Sequence, residues 1–200
     1  MSLVDAIKAI QRAVGAEPDG IFGPRTAVAV WKDLNREAAE AAKAGAKEDA
    51  ILDERTIKTI ATLDHAAQFR FVDFTLLAKA TAATYGCDYV AISGHRTWKE
   101  QDELYLRVPK VTNAKGGYSN HNFGIAVDFG VFRGKVYLDA SNPELAQRVH
   151  AACAAHAKAC GLEWGGDWKG KLKDSPHYEV STGLSLAAKR KLYNERGTVL

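Results

Sequence analysis

A carboxylate sits inside an apolar strand. In the run Gly124-Ile125-Ala126-Val127-Asp128-Phe129-Gly130-Val131-Phe132, the residues Ile125, Val127, Phe129 and Val131 alternate with Ala126, Asp128 and Gly130. That period of two is a strand signature, and Arg133-Gly134 marks a hairpin into Lys135-Val136-Tyr137-Leu138. An isolated charge in such a run is costly unless it is paired or binds a metal. The fold must therefore bring a partner to Asp128.

Three nearby or distant segments offer partners. His121 lies in the polar turn Ser119-Asn120-His121-Asn122-Phe123 just before the strand. A neutral imidazole and a carboxylate suit a borderline cation such as zinc, which needs a third protein ligand. Asp174-Ser175-Pro176-His177-Tyr178-Glu179-Val180 supplies one. Pro176 argues against a helix, so a tight turn entering a strand at 177–180 aims Asp174 and His177 toward one point. His177 would bind the metal and Asp174 would accept a proton from the water beside it. The third segment, Ser93-Gly94-His95-Arg96-Thr97, leaves a strand at 88–93 and enters a helix at 97–106. Its Arg96 is a permanently charged donor for a substrate carboxylate or a developing oxyanion. Each piece also has a plain structural reading. His121 would be a turn residue, Asp128 half of a buried salt bridge, His177 a half-buried strand residue, and Arg96 the partner of Glu100 one helical turn on. Glu179 either orients His177 or is an exposed strand residue.

The rest of the chain reads as α+β. A helix ends at Gly15, a turn-rich stretch Asp19-Gly20-Ile21-Phe22-Gly23-Pro24 follows, and a second helix runs from about Arg25 toward residue 44. Asp49-Ala50-Ile51-Leu52-Asp53-Glu54-Arg55-Thr56 partly repeats that turn thirty residues later, which points to a three-helix module over residues 1–63. A module of about sixty residues buries a modest core, so it is expected to lean on the rest of the chain. Residues 64–200 form the second domain, with helices at 69–86, 143–160 and 184–195 and a Gly/Trp loop at 161–168. Strands joined by hairpins, with helices between them, predict a mainly antiparallel central sheet.

Charge and cysteine content exclude several classes. The net charge is +3, with eleven acidic and nine basic residues before position 66 and a surplus of basic residues after it. No basic run or basic-aromatic stripe favours nucleic acid. No stretch reaches the roughly 18 uninterrupted apolar residues of a membrane helix, and charges at Asp5, Lys8 and Arg12 disqualify the N-terminus as a signal peptide. Cys87, Cys153 and Cys160 are an odd number without a disulfide pattern and fit a reducing compartment. His150, Cys153, His156 and Cys160 share one face of a predicted helix, but one straight helix cannot wrap four ligands around one ion. Glu100 and Glu103 are neighbours on a helix face rather than the opposed pair of a glycosidase. Trp164 and Trp168, among glycines, are candidates for a cleft wall.

Two resemblances follow from these motifs. The string Asp-Gly-Ile-Phe-Gly-Pro-Arg-Thr at 19–26, with the helix before it, resembles the peptidoglycan-binding domain that precedes many cell-wall hydrolases. It implies wall contacts at Asp19, Gly20, Phe22 and Gly23, although the glycines also simply make a tight turn. Ser119, His121, Gly124, Ala126 and Asp128 match Ser-x-His-x-x-Gly-x-Ala-x-Asp, and Ser93, Gly94, Arg96, Thr97 and Gln101 match the upstream Ser-Gly-x-Arg-Ser/Thr-x-x-x-Gln. Asp174 stands three before His177 as the downstream acid. Together they resemble the zinc peptidase superfamily of D-alanyl-D-alanine carboxypeptidases, dipeptidases and L-alanyl-D-glutamate endopeptidases, over about residues 68–182. The resemblance implies Zn2+ held by His121, Asp128 and His177, with Asp174 as general base and acid and Arg96 as the substrate or oxyanion contact. It implies Ser119, Gln101, Trp164 and Trp168 as substrate neighbours. The aspartate at 174 looks more like phage-type endopeptidases. The expectation is a monomeric, endolysin-like enzyme made in a host cytoplasm, delivered to peptidoglycan through a holin, with no nucleic-acid or membrane partner. A D-alanyl-D-alanine carboxypeptidase and a non-catalytic wall-binding or virion protein are the alternatives.

Overall fold

In the computed structural model the described residues are 2–21, 23, 26, 29–30, 33, 52–170 and 173–200. Most of the expected second helix of the N-terminal module, Phe22 and the start of the second copy of the repeat (49–51) lie outside them. Helix α1 (Leu3–Ala13) starts at a capping box in which the Ser2 and Asp5 side chains each take the other's backbone N–H. Its buried Gln11 fastens the following turn. The Gln11 amide donates to Asp19 Oδ1, Ile21 O and Thr26 Oγ1, and its carbonyl accepts from Gly20 N. Asp19 and Gly20 thus serve the turn itself.

Helix α2 (Glu54–Ala61) is capped by Asp53, and α3 (His65–Ala83) by Asp64, four residues earlier than the sequence pattern placed its start. Strand β1 (Asp88–Ser93) leads to α4 (Trp98–Leu106), where Thr97 and Glu100 form a second capping box. A 3-10 turn (Asn120–Phe123) then enters β2 (Ala126–Arg133). Strand β3 (Val136–Tyr137), the one-turn α5 (Leu138–Ser141) and α6 (Pro143–Ala154) follow, with Pro143 at the first helical position. Strands β4 (Leu162–Trp164) and β5 (His177–Val180) and helix α7 (Leu186–Arg196) complete the order.

The sheet is antiparallel, in the order β1-β2-β5-β4, with β3 paired to the far end of β2. Its register sets the chemistry. Asp128 lies opposite His177 on one side and opposite Ser93 on the other, next to an irregularity between Ala91 and Ser93. A slip of one residue would turn Asp128 to the opposite face. Helix α3 covers that opposite face. Phe74 packs edge-on against Phe129 and Tyr89, and tilted against Tyr178, with ring centroids 4.4–6.4 Å apart. Val127, Phe129 and Val131 are fully buried, as the alternation predicts. Leu52, Ile60 and Leu63 belong to the same core as Phe71 and Tyr89, so the segment before α3 leans on the sheet.

Two expectations change. The helix foreseen over 143–160 ends at Ala154, and Lys158–Cys160 form a separate 3-10 turn closed by left-handed Gly161. The loop foreseen at 161–168 contains β4. Three residues are too short to show a period, and the strand exists because β5 pairs with it.

Gly124 joins the His121 turn to β2 in a left-handed conformation, φ +66°. A Cβ there would stand 2.6 Å from the backbone nitrogen of Asp64, which donates to Gly124 O. Gly124→Ala is therefore expected to lose about 1–3 kcal/mol of stability, read as a lower midpoint in chemical denaturation.

Candidate metal centre and cleft

Three ligand atoms converge where the 3-10 turn, β2 and β5 meet. His121 Nε2 lies 3.1 Å from Asp128 Oδ1, His177 Nδ1 lies 3.0 Å from the same oxygen, and the two nitrogens are 3.3 Å apart. Each imidazole is oriented from behind. His121 Nδ1 is 2.7 Å from the carbonyl of Gly94, which can only accept, so Nδ1 carries the proton and Nε2 is free to ligate. His177 Nε2 is 2.9 Å from Glu179 Oε2, so its Nδ1 is the free nitrogen. Glu179 is thus the orienter of His177, the first of its two sequence readings. This arrangement, a ligating ring whose other nitrogen donates to a carboxylate or carbonyl, is the usual support of a zinc histidine.

The donor set fits zinc. Bonds of about 2.0–2.1 Å in a tetrahedron put ligand atoms about 3.3 Å apart, which the observed triangle matches. Two imidazole lone pairs and a carboxylate oxygen at such range repel unless a proton or a cation sits among them. Among the described residues this is the one His/Cys/Asp/Glu group with such convergence. The rival helix cluster is not formed. His150 lies between Tyr89 Oη and Asp139 at 2.7 Å each, His156 bonds Thr81, and burial pushes the Cys153 thiol up to about 12.

Arg96 is committed to Asp128 and its neighbours. Its Nη2 donates to Asp128 Oδ2 at 2.6 Å and to Ser93 Oγ, and its Nη1 donates to Gln101 Oε1. The Glu100 carboxylate caps α4 by accepting from Thr97, so the plain reading of an Arg96–Glu100 pair gives way to the Arg96–Asp128 pair. Gln101 is fully buried. Its amide donates to Ala114 O and Thr112 Oγ1, which corrects its expected place as a substrate neighbour to one of holding Arg96 and the 112–114 loop.

The centre opens on a cleft of about 860 Å³ lined in part by Arg96, Ser119, Asp128, Trp168, Asp174 and His177. Trp168 stands with its ring centroid 5.0 Å from that of His177. Trp164 does not line the cleft. Its indole N–H donates to Ser175 O and fixes the turn that carries Asp174. That turn is closed further by Asp174 N donating to Gly165 O and His177 N donating to Asp174 O. The cleft wall also includes Asn120 and Lys189, which sequence reasoning missed. Lys189 sits among other basic residues of α7 and carries no motif.

Charge follows this geometry. Burial opposes the Asp128 charge, but His121 and His177 outweigh it and hold the carboxyl well below the usual range. Burial likewise opposes a proton on His177, yet Asp128 and Glu179 raise it to about 9. Burial, then the charge of Asp128, pushes Asp174 up.

Residues 112–180 match a peptidase family model described as D-alanyl-D-alanine carboxypeptidase. The chain resembles this peptidase family over those residues, which include His121, Asp128, Asp174 and His177. It is similar to the peptidoglycan L-alanyl-D-glutamate endopeptidase CwlK of Bacillus subtilis (strain 168), at 42% identity over 111 residues. That match covers 51% of this chain and 66% of the relative, so somewhat less than two thirds of its length. Among solved structures, the L-Ala D-Glu endopeptidase ChiX of Serratia marcescens aligns with TM-score 0.46 and 23% identity, over 68% of this chain and 93% of that one. The D,D-pentapeptidase VanY of a VanB-type vancomycin resistance cassette, solved with Zn(II), aligns with TM-score 0.41 and 16% identity, over 68% and 80%. Among the described residues no helix is long and apolar enough to cross a membrane.

The raised pKa of His177 has two opposite consequences. The unfolded imidazole loses its proton near 6.5 and the folded one near 9, so between these values the metal-free native state binds the extra proton. Stability from this group is full below about 6.5 and is lost as pH rises through about 9. A zinc ion held by His177 would have to displace the same proton, so its affinity would rise over that window. Thermal melts of metal-free protein should fall from pH 6.5 to 9 while zinc titrations tighten.

Proposed function

We propose that this protein is a zinc-dependent endopeptidase of peptidoglycan that cuts the stem peptide between L-alanine and D-glutamate. The observation that carries this is the convergence of His121 Nε2, Asp128 Oδ1 and His177 Nδ1 at a cleft that Asp174 and Arg96 also line. The similarity to CwlK supports the choice of bond.

When bound, zinc acts as a Lewis acid toward a peptide carbonyl and makes water nucleophilic near neutral pH. His121, Asp128 and His177 would hold it. Asp174, raised in pKa and anchored by its turn, takes the proton of the attacking water and returns it to the leaving amine of D-glutamate. Arg96 first holds Asp128 in its ligating orientation, and its cleft-facing side adds positive charge where the carbonyl oxygen becomes anionic. Trp168 and Ser119 flank the peptide. The N-terminal turn, with Asp19, Gly20, Phe22 and Gly23, would present the enzyme to the wall. A wall-binding-like module joined to a peptidase fits an endolysin made in a host cytoplasm and released through holin pores, acting as a monomer.

The second reading is a D-alanyl-D-alanine carboxypeptidase, which the description of the matching family model favours. Product analysis separates the two. Digestion of purified wall should expose new D-glutamate amino termini and release no free D-alanine. Asp174→Ala should keep its zinc and lose about a hundredfold or more in rate. Free D-alanine would establish the carboxypeptidase instead. Full activity of Asp174→Ala would remove the proton carrier from the account.

A further inference from the structure

A chain of side chains leads from α7 to the metal centre. Lys189 is 5% exposed, although a lysine is seldom buried without a specific partner. Its Nζ donates to Asn120 Oδ1 at 2.9 Å. The Asn120 amide nitrogen donates to Glu179 Oε2 at 2.6 Å, and the same oxygen accepts from His177 Nε2 at 2.9 Å. Each link has one allowed direction. An ammonium only donates and a carboxylate only accepts, so Asn120 must turn its oxygen to Lys189 and its nitrogen to Glu179. With its Nε2 engaged by Glu179, His177 presents Nδ1 to His121 and Asp128. Lys189 also faces the cleft wall with one formal charge beside Glu179, which compensates for a second carboxylate near the ligands.

We propose that Lys189 is a positioning residue for the metal centre, acting on the ligand His177 through Asn120 and Glu179. This inference rests on the zinc site proposed above. The lysine lies twelve residues beyond His177 on a separate helix, outside all the motifs that define the site. It ties α7 to the centre, so the C-terminal helix would set how firmly the metal is held.

The test is a double-mutant cycle read as zinc affinity, by competition with a chromogenic chelator, on the full chain. Outer-shell partners of zinc histidines typically govern affinity by 10–100-fold. Lys189→Met is expected to weaken zinc binding by about tenfold or more. In the Glu179→Ala background, where the chain is already cut, the same substitution should have almost no further effect. The Co(II)-substituted spectrum should shift in Lys189→Met and in Glu179→Ala alike. Should Lys189→Met not fold, Asn120→Ala cuts the same chain and takes its place in the cycle. Unchanged zinc affinity in Lys189→Met, or an equal loss in both backgrounds, would overturn the proposal while leaving the zinc site intact. A wild-type protein that binds no zinc would overturn both.

Discussion

Everything at this site depends on one charge. Asp128 is fixed in the middle of β2, between β1 and β5, and its carboxylate is desolvated by the strands around it. Buried carboxylates of this kind survive only when hydrogen bonds and opposite charge repay their lost hydration. Here one oxygen faces two imidazole nitrogens and the other accepts from Arg96 at 2.6 Å. Removing any of the three leaves the others with an unsatisfied neighbour. That explains why Ser93, Gly94, Gln101 and Glu179, none of them in the candidate triad, are all engaged in holding the three partners in place.

The fold supplies this pocket through register rather than through any single loop. Antiparallel pairing of β2 with β5 puts Asp128 and His177 side by side, and the 3-10 turn before β2 brings His121 back over the end of β1. The Arg96 backbone N–H donates to His121 O, which ties the β1 exit to the same turn. Behind the sheet, the Phe74, Tyr89, Phe129 and Tyr178 cluster gives the strands a rigid base. Beneath it the Tyr89 and Tyr178 hydroxyls and His150 are satisfied by one another and by Asp139, so the deep polar groups need no water. Ligands placed on strands of such a sheet have little freedom to drift, which is what a three-ligand metal site requires.

The candidate ligands stand out in the sequence because their chemistry conflicts with their surroundings. An aspartate in an apolar strand and a histidine after a proline-bearing turn are both conspicuous, and their spacing matches a known family pattern. The antiparallel sheet was legible from the same alternation. Other features were not. Gln101 carried a motif position but turned out to be a buried support, because a motif records that a residue is needed and not which neighbour needs it. Trp164 looked like a cleft wall, yet its indole N–H is used to hold Ser175. Strand β4 is too short to show a period and forms because β5 offers it a ladder. Lys189 is one of several basic residues on α7, and only tertiary packing separates the buried one from the solvated ones.

The central claim is that two imidazoles and Asp128 form a single zinc centre with assigned ligand atoms. A crystal structure of the zinc-loaded protein with anomalous data at the zinc edge tests it most directly. The account predicts one ion bound by His121 Nε2, Asp128 Oδ1 and His177 Nδ1, with Glu179 still on His177 Nε2. An ion bound through His177 Nε2, at Cys153 or Cys160, or at no fixed position would contradict it.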